Sequence, residues 1–322
     1  MSQHYAYGDI VLYSGSGSLA LAQEISRQLN VPLGGRDITK YSNENIFIQL
    51  HSSVRGQDAF IVQSNSSPVN DNVMEMLIFI DTLKRASAGR VTAVIPYLAY
   101  ARSDKKDQPR VPITARLIAD MIQIAGADRY ITLDLHAGQI QGFFSIPGDA
   151  ITAFPLLADY MRRKQLADAV VVAADLGFAK KARSFATELD LPVAFIEKRR
   201  IAASPEALAL IGEVTGKDVI LVDDEVDTGK TLAQAVRLLK EEAARHIYCC
   251  FIHPVLSGDA VPRLRDLPLT EIVTTNSLPI PPKKRLPNLT VLSVAPLLSG
   301  VILRVHRGES VGKMFQPYHG YS

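Results

Sequence analysis

A β-branched run, Val219 to Val222, leads directly into Asp223-Asp224-Glu225-Val226-Asp227-Thr228-Gly229-Lys230-Thr231. Adjacent carboxylates at a strand end can hydrogen-bond vicinal hydroxyls or hold a metal through water. Thr228, Gly229 and Thr231 add hydroxyls and backbone N–H groups suited to a phosphate. The composite predicts a sugar-phosphate cradle. A helix N-cap accounts for one Asp, but not for three acids followed by Gly-Lys-Thr. The Gly-x-x-x-x-Gly-Lys-Ser/Thr spacing of a P-loop is absent.

Such a loop needs a sheet to present it, because in open α/β sheets ligands bind where carboxyl ends of strands meet the following helix N-termini. The sequence supplies the strands twice. Ile10–Leu29 matches Val170–Leu189, placing Gly17 over Gly177, and Val54–Ser64 lies over Val214–Asp224 at the same offset of 160 positions. Leu83–Ile95 continues onto Leu239–Phe251 after a small shift. Within each copy short β-branched runs (FIVQ, VTAVI, YITLDL; VVVAA, VILVDD, IYCCFI) alternate with helical patterns such as NDNVMEMLIFIDTLKRA and GKTLAQAVRLLKEEAA. That alternation predicts an α/β fold in two duplicated domains, each a mainly parallel sheet flanked by helices. Pro, Gly and Asp in SIPGDAIT place the junction between residues 1–148 and 149–322, with the C-terminal tail packing on the first domain.

At 322 residues the chain has room for two cores. With 47% apolar and 21% charged residues it falls outside the disordered and fibrous classes. Lys and Arg number 35 against 33 for Asp and Glu, and a net charge of +2 gives no field that calls for a nucleic-acid partner. The uncharged apolar stretches, such as Val91–Tyr100, fall short of the ~20 residues of a membrane span. No basic-then-apolar leader opens the sequence, so a cytoplasmic location is expected. Cys249 and Cys250 are adjacent in an apolar run and point to opposite faces of a strand, so they are expected as core residues.

VDDEVDTGKT resembles the ribose-5-phosphate and phosphoribosyl-pyrophosphate loop of type I phosphoribosyltransferases and of their relatives, the ribose-phosphate pyrophosphokinases. SVRGQDAFIVQ, NDNVMEMLIFIDTLKRASA, RSDKKDQPRVPITARLIADMI, LDLHAGQIQGFF and HRGESVGKMF all resemble the pyrophosphokinases, in the same order and over nearly the whole chain. The resemblance implies two type I phosphoribosyltransferase-like domains of which only the second keeps the acidic loop. The matching positions of the first read Ser64-Asn65-Ser66-Ser67.

It also implies transfer of the diphosphoryl group of ATP to the 1-hydroxyl of ribose 5-phosphate, with Mg2+ as cofactor, in a homohexamer. By the same resemblance Asp223, Asp224, Asp227, Thr228, Gly229, Lys230 and Thr231 bind ribose 5-phosphate, and His136 and Asp175 are metal residues. Arg102, Ser103 and Lys105 bind ATP phosphates. Tyr41, Asn43 and Asn45 reach the adenine from a neighbouring subunit. Lys198 and Arg200, expected just past a strand Pro192–Phe195, act on the transferring group from a closing loop. Four positions depart from the family pattern: Asn45 stands for Glu, Ser103 for Gln, Phe178 for a small residue beside the diphosphate, and Lys230 for a small residue in the sugar-phosphate loop. The alternatives are a phosphoribosyltransferase that uses phosphoribosyl pyrophosphate, and a non-catalytic regulatory subunit of the synthetase.

Overall fold

A computed structural model describes residues 7–199 and 207–314, with Lys198, Arg199, Ala207 and Lys313 described by backbone alone. The chain divides into two compact units. In the first, strand β1 (Ile10–Ser14) is followed by helix α1 (Leu19–Leu29), the hairpin β2 (Arg36–Lys40) and β3 (Ile46–Leu50), then β4 (Asp58–Val62). Helix α2 (Val69–Arg85), β5 (Arg90–Ile95), α3 (Thr114–Ile124), β6 (Arg129–Leu133) and β7 (Gly148–Ile151) complete the run to Thr152. The sheet order is β1-β4-β5-β6-β7 with every pairing parallel. All five residues of β4 are buried, as expected of a parallel strand covered on both faces. The cover comes from α2, whose Val73, Met76, Ile80 and Leu83 recur at helical spacing and are all buried.

The second unit opens with α4 (Phe154–Arg162), β8 (Ala169–Ala173), α5 (Ala179–Leu189), β9 (Val193–Arg199) and β10 (Ala207–Ile211). It continues through β11 (Asp218–Glu225), α6 (Lys230–Glu241), β12 (Ile247–His253), α7 (Ala260–Arg265), β13 (Glu271–Thr275) and β14 (Leu289–Leu292). Its sheet order is β10-β9-β8-β11-β12-β13-β14, parallel except for β10 on β9. Cys249 and Cys250 are buried and unpaired on β12. Helix α8 (Ala295–Arg307) belongs to the first unit, where it packs on α1. There Asp58 accepts both Nε and Nη2 of Arg90, at 2.8 and 2.5 Å, and lies 2.9 Å from His306 Nδ1 of α8.

The duplication seen in the sequence is present in the fold, element by element. Helices α1 and α5 both end on a left-handed residue, Asn30 at φ 54° and Asp190 at φ 56°. Gly56 and Gly216, which precede β4 and β11, have φ of 71° and 73°. Asp58 and Asp218 open the two matching strands, each beside an Arg and a His. The hairpins match as well, although their sequences do not: Asp37 pairs Gln49 and Ile38 pairs Ile48 in one, Glu197 pairs Ala209 and Lys198 pairs Leu208 in the other. These are the same registers at the offset of 160. Strand β9 therefore runs on to Arg199 instead of ending at Phe195, and Lys198 sits in a ladder and not in the loop expected from its basic neighbours.

Candidate active site

Strand β11 is central in its sheet, and its pairing carries the acidic run beyond the core: Asp223 sits opposite Phe251 and Glu225 opposite His253 of β12. Each aspartate side chain takes the amide of the next residue, the Asp224 amide donating to Asp223 Oδ1 and the Glu225 amide to Asp224 Oδ1, both at 2.9 Å. Asp224 is buried. Burial pushes the Asp223 carboxyl well above the ordinary range of an aspartate, and the neighbouring Asp224 charge and, further off, Asp175 push it the same way. Three carboxylates thus repel one another where a polyhydroxyl or a cation is the natural counterpart.

The remainder of the loop is braced by residues that the sequence did not single out. Ser257 donates through its hydroxyl to Asp227 and through its amide to the Asp227 carbonyl, and Arg263 of α7 donates to the Thr228 carbonyl. Lys284 donates to the Val255 carbonyl at 2.8 Å; burial lowers its ammonium, and Asp227 opposes that fall. The run Ser257-Gly258-Asp259 just past β12, at the same carboxyl edge as the acidic run past β11, is the sequence signal for Ser257. Gly229 caps α6 at φ 69°, a left-handed conformation that glycine adopts without penalty. It aims the first amides of a twelve-residue helix at the loop, with Lys230 exposed and Thr231 half-buried beside it.

Asp175 caps the short turn after β8, where its carboxylate accepts the Phe178 amide at 3.0 Å. The Phe178 ring lies in the core, 5.5 Å from Phe154, so the departure from a small residue places its bulk away from the Leu176 and Gly177 amides. Lys198 lies on β9 with its side chain undescribed, and Arg200 falls outside the described residues.

The other expected residues belong to the first unit. Arg102, Ser103 and Lys105 follow β5, and His136 follows the adjacent β6, so both groups occupy the carboxyl edge of one sheet. Arg102, Lys105 and His136 are exposed. The Ser103 hydroxyl accepts the Thr114 amide at 3.3 Å and the Ser103 carbonyl accepts the Ala115 amide, which ties this loop to the start of α3. His136 is carried on a tight turn: Asp134, at φ 35°, accepts the Thr152 hydroxyl at 2.7 Å. Tyr41, Asn43 and Asn45 form the tip of the β2–β3 hairpin, closed by the Tyr41 amide on the Asn45 carbonyl and by the Asn45 amide on Asn43 Oδ1. Tyr41 and Phe47, ring centroids 6.3 Å apart, are both about half exposed there, and Phe47 is an aromatic outside the residues expected from the sequence.

Among the described residues no three His, Cys, Asp or Glu side chains converge on a common metal position. Asp175, expected as a metal residue, offers hard carboxylate oxygen. That fits Mg2+, which keeps several waters and binds through one or two carboxylates together with substrate phosphates.

Comparison with known proteins adds the family context. Residues 10–126 match the N-terminal domain of ribose phosphate pyrophosphokinase, and residues 199–316 match the phosphoribosyl synthetase-associated domain. The chain is 47% identical over 307 residues to a ribose-phosphate pyrophosphokinase of Nostoc sp., covering 95% of this chain and 93% of that one. It is also 47% identical over 306 residues to one from Caldanaerobacter subterraneus, covering 94% and 97%. Its fold is similar to the crystal structure of phosphoribosylpyrophosphate synthetase from Mycobacterium smegmatis, with a TM-score of 0.90 at 43% identity, covering 93% of this chain and 99% of that chain. Likeness over both units favours neither the simple phosphoribosyltransferase nor the non-catalytic subunit.

Proposed function

The chain belongs to the ribose-phosphate pyrophosphokinase family, and on that premise we propose that it transfers the β,γ-diphosphoryl group of ATP to the 1-hydroxyl of ribose 5-phosphate, giving 5-phosphoribosyl 1-pyrophosphate and AMP. The observation that carries this reading is the acidic loop of β11, where two aspartates stand ahead of a glycine-capped helix N-terminus. In this reading Asp223 and Asp224 accept hydrogen bonds from the ribose hydroxyls. Asp227, Thr228, Gly229, Lys230 and Thr231 hold the 5-phosphate, with Ser257 and Arg263 fixing the shape of the loop. Arg102 and Lys105 bind the ATP phosphates, while Ser103 shapes the loop that carries them. Tyr41, Asn43 and Asn45 contact the adenine.

Phosphoryl-type transfer depends on alignment and on cations that neutralise the equatorial oxygens. Mg2+, when bound, supplies part of that charge, and His136 and Asp175 are the residues assigned to it. Lys198 and Arg200 supply the rest. Their assignment draws support from the duplication: their counterparts at the offset of 160, Ile38 and Lys40, line a cleft in the first unit together with Ser16, Gly17 and Ser66. The exposed aromatic tip of the first hairpin supports assembly as a homo-oligomer, a hexamer by likeness to the family. Among the described residues no helix is long and apolar enough to cross a membrane.

Incubation with ATP, ribose 5-phosphate and Mg2+ is expected to release AMP in step with 5-phosphoribosyl 1-pyrophosphate. ADP as the product, or no AMP from the chain alone together with tight association to an active homologue, overturns the reading.

A further inference from the structure

The cleft of the first unit has a volume of about 310 Å³, and Ser16, Gly17, Lys40, Ser66, Asp71 and Glu75 are among the residues lining it. Its position in the duplicated fold is that of the acidic-loop site in the second unit: Ser16 and Gly17 match Leu176 and Gly177, Ser66 matches Val226, and Lys40 matches Arg200. The first cleft differs in one respect that sequence comparison alone conceals, because its donors already have acceptors. Glu75, buried on α2, takes the Ser16 amide on Oε1 at 2.6 Å and the Ser16 hydroxyl on Oε2 at 2.7 Å. Gln63, also buried, takes the Gly17 amide at 3.0 Å and donates its own amide to Glu75 Oε1 at 3.0 Å and Asn72 Oδ1 at 3.1 Å. The fit is close. A β-carbon on Gly15 would stand 2.8 Å from Glu75 Oε1, and one on Gly17 would stand 2.8 Å from the Ser64 carbonyl. At the mouth, Lys40 is held by Asp71 at 2.7 Å.

The second unit differs at the matching loop amides. Among the described residues no side chain accepts from the Leu176 or Gly177 amides. Glu75 and Asp71 thus occupy the Ser16 donors and the Lys40 ammonium in the first cleft.

We propose that the cleft of the first unit is a phosphate site closed by the chain's own carboxylates, with Glu75 on the loop amides and Asp71 on Lys40. A carboxylate with two oxygens can satisfy the same amide and hydroxyl donors as a phosphate edge, and as part of the chain it binds with no loss of translational entropy. One ligand-binding loop per chain follows, although the fold provides two.

The test is the double variant Asp71→Asn with Glu75→Ala, probed with inorganic pyrophosphate. Equilibrium dialysis is expected to find one more pyrophosphate per chain in the variant than in the parent. Pyrophosphate should also raise the variant's Tm further than the parent's, the contribution of the second unit being common to both. Equal stoichiometry with equal Tm shifts overturns the proposal. Should the double variant not fold, amide hydrogen exchange supplies the same decision: Ser16 and Gly17 are expected to be protected in the parent and to exchange about tenfold faster in Glu75→Gln. Unchanged exchange at both amides refutes the role given to Glu75.

Discussion

Asp58 and Asp218 occupy matching places in the two copies, yet their removal should have different consequences. Asp58 is fully buried; its partners Arg90 and His306 keep side-chain exposures of only 14% and 8%. Deleting the carboxylate in Asp58→Ala takes the acceptor from two guanidinium donors and a neighbour from the imidazole, in a place water reaches poorly, and Arg90 Nη2 keeps its bond to the Val305 carbonyl at 3.0 Å. Removing one partner of a buried pair costs about 3–5 kcal/mol. At roughly 2–4 °C per kcal/mol for a domain of this size, Tm should fall by about 10 °C. Asp218 also sits low in the surface, but its partners Arg245 and His246 are 44% and 54% exposed and are rehydrated once released. Asp218→Ala should therefore produce a clearly smaller drop. Thermal unfolding of the two variants side by side, in the same buffer at neutral pH, decides the matter. Equal drops, or a larger one for Asp218→Ala, would refute the argument that solvation of the partners sets the penalty.

The raised carboxyl of Asp223 has a consequence for pH dependence: the folded state holds this proton more tightly than the unfolded chain does, so stability falls as pH rises from the unfolded value near 3.8 through the folded one. Asp223→Asn should therefore raise the Tm of the ligand-free enzyme at neutral pH, with little gain near pH 4, while raising KM for ribose 5-phosphate far more than KM for ATP; a lower neutral Tm contradicts this. Lys198→Ala and Arg200→Ala should each lower kcat and kcat/KM together by about a hundred- to a thousandfold, the scale of losing one preorganised charge-stabilising donor. Arg199→Ala is the control, and equal losses in all three variants would show a solvated basic cluster.

The duplicated sheets and the acidic strand end were legible because both are written in short-range pattern. A continuous apolar run such as VILV followed by Asp-Asp is visible without knowing what packs against it. The equivalence of the two hairpins was not legible. RDITKYSNENIFIQL and the stretch from Glu197 to Ile211 share almost no residues, since exposed strands tolerate many side chains and only the pairing register identifies them as copies. For the same reason Glu-Lys-Arg at the end of β9 reads as loop in sequence, while backbone pairing with Ala207–Ala209 holds it as strand. The family resemblance places Phe178 beside the diphosphate, whereas its ring packs on Phe154, a partner remote in sequence. Ser257, Arg263 and Lys284 brace the acidic loop from beyond its own strand, and no spacing rule connects them to it.

The shared register of the hairpins bears on how such an enzyme can change. Each arm is fastened by a ladder, so what lies beyond the first ladder, Tyr41 to Asn45, is free to vary in length. Closing a loop twice as long costs only about 0.6 kcal/mol more, too little to threaten either core. Insertions at the first tip do not reach the apolar interior, since Tyr41 to Asn45 are all exposed. The tip of the first arm can therefore change in length and composition in a chain whose two sheets stay as they are.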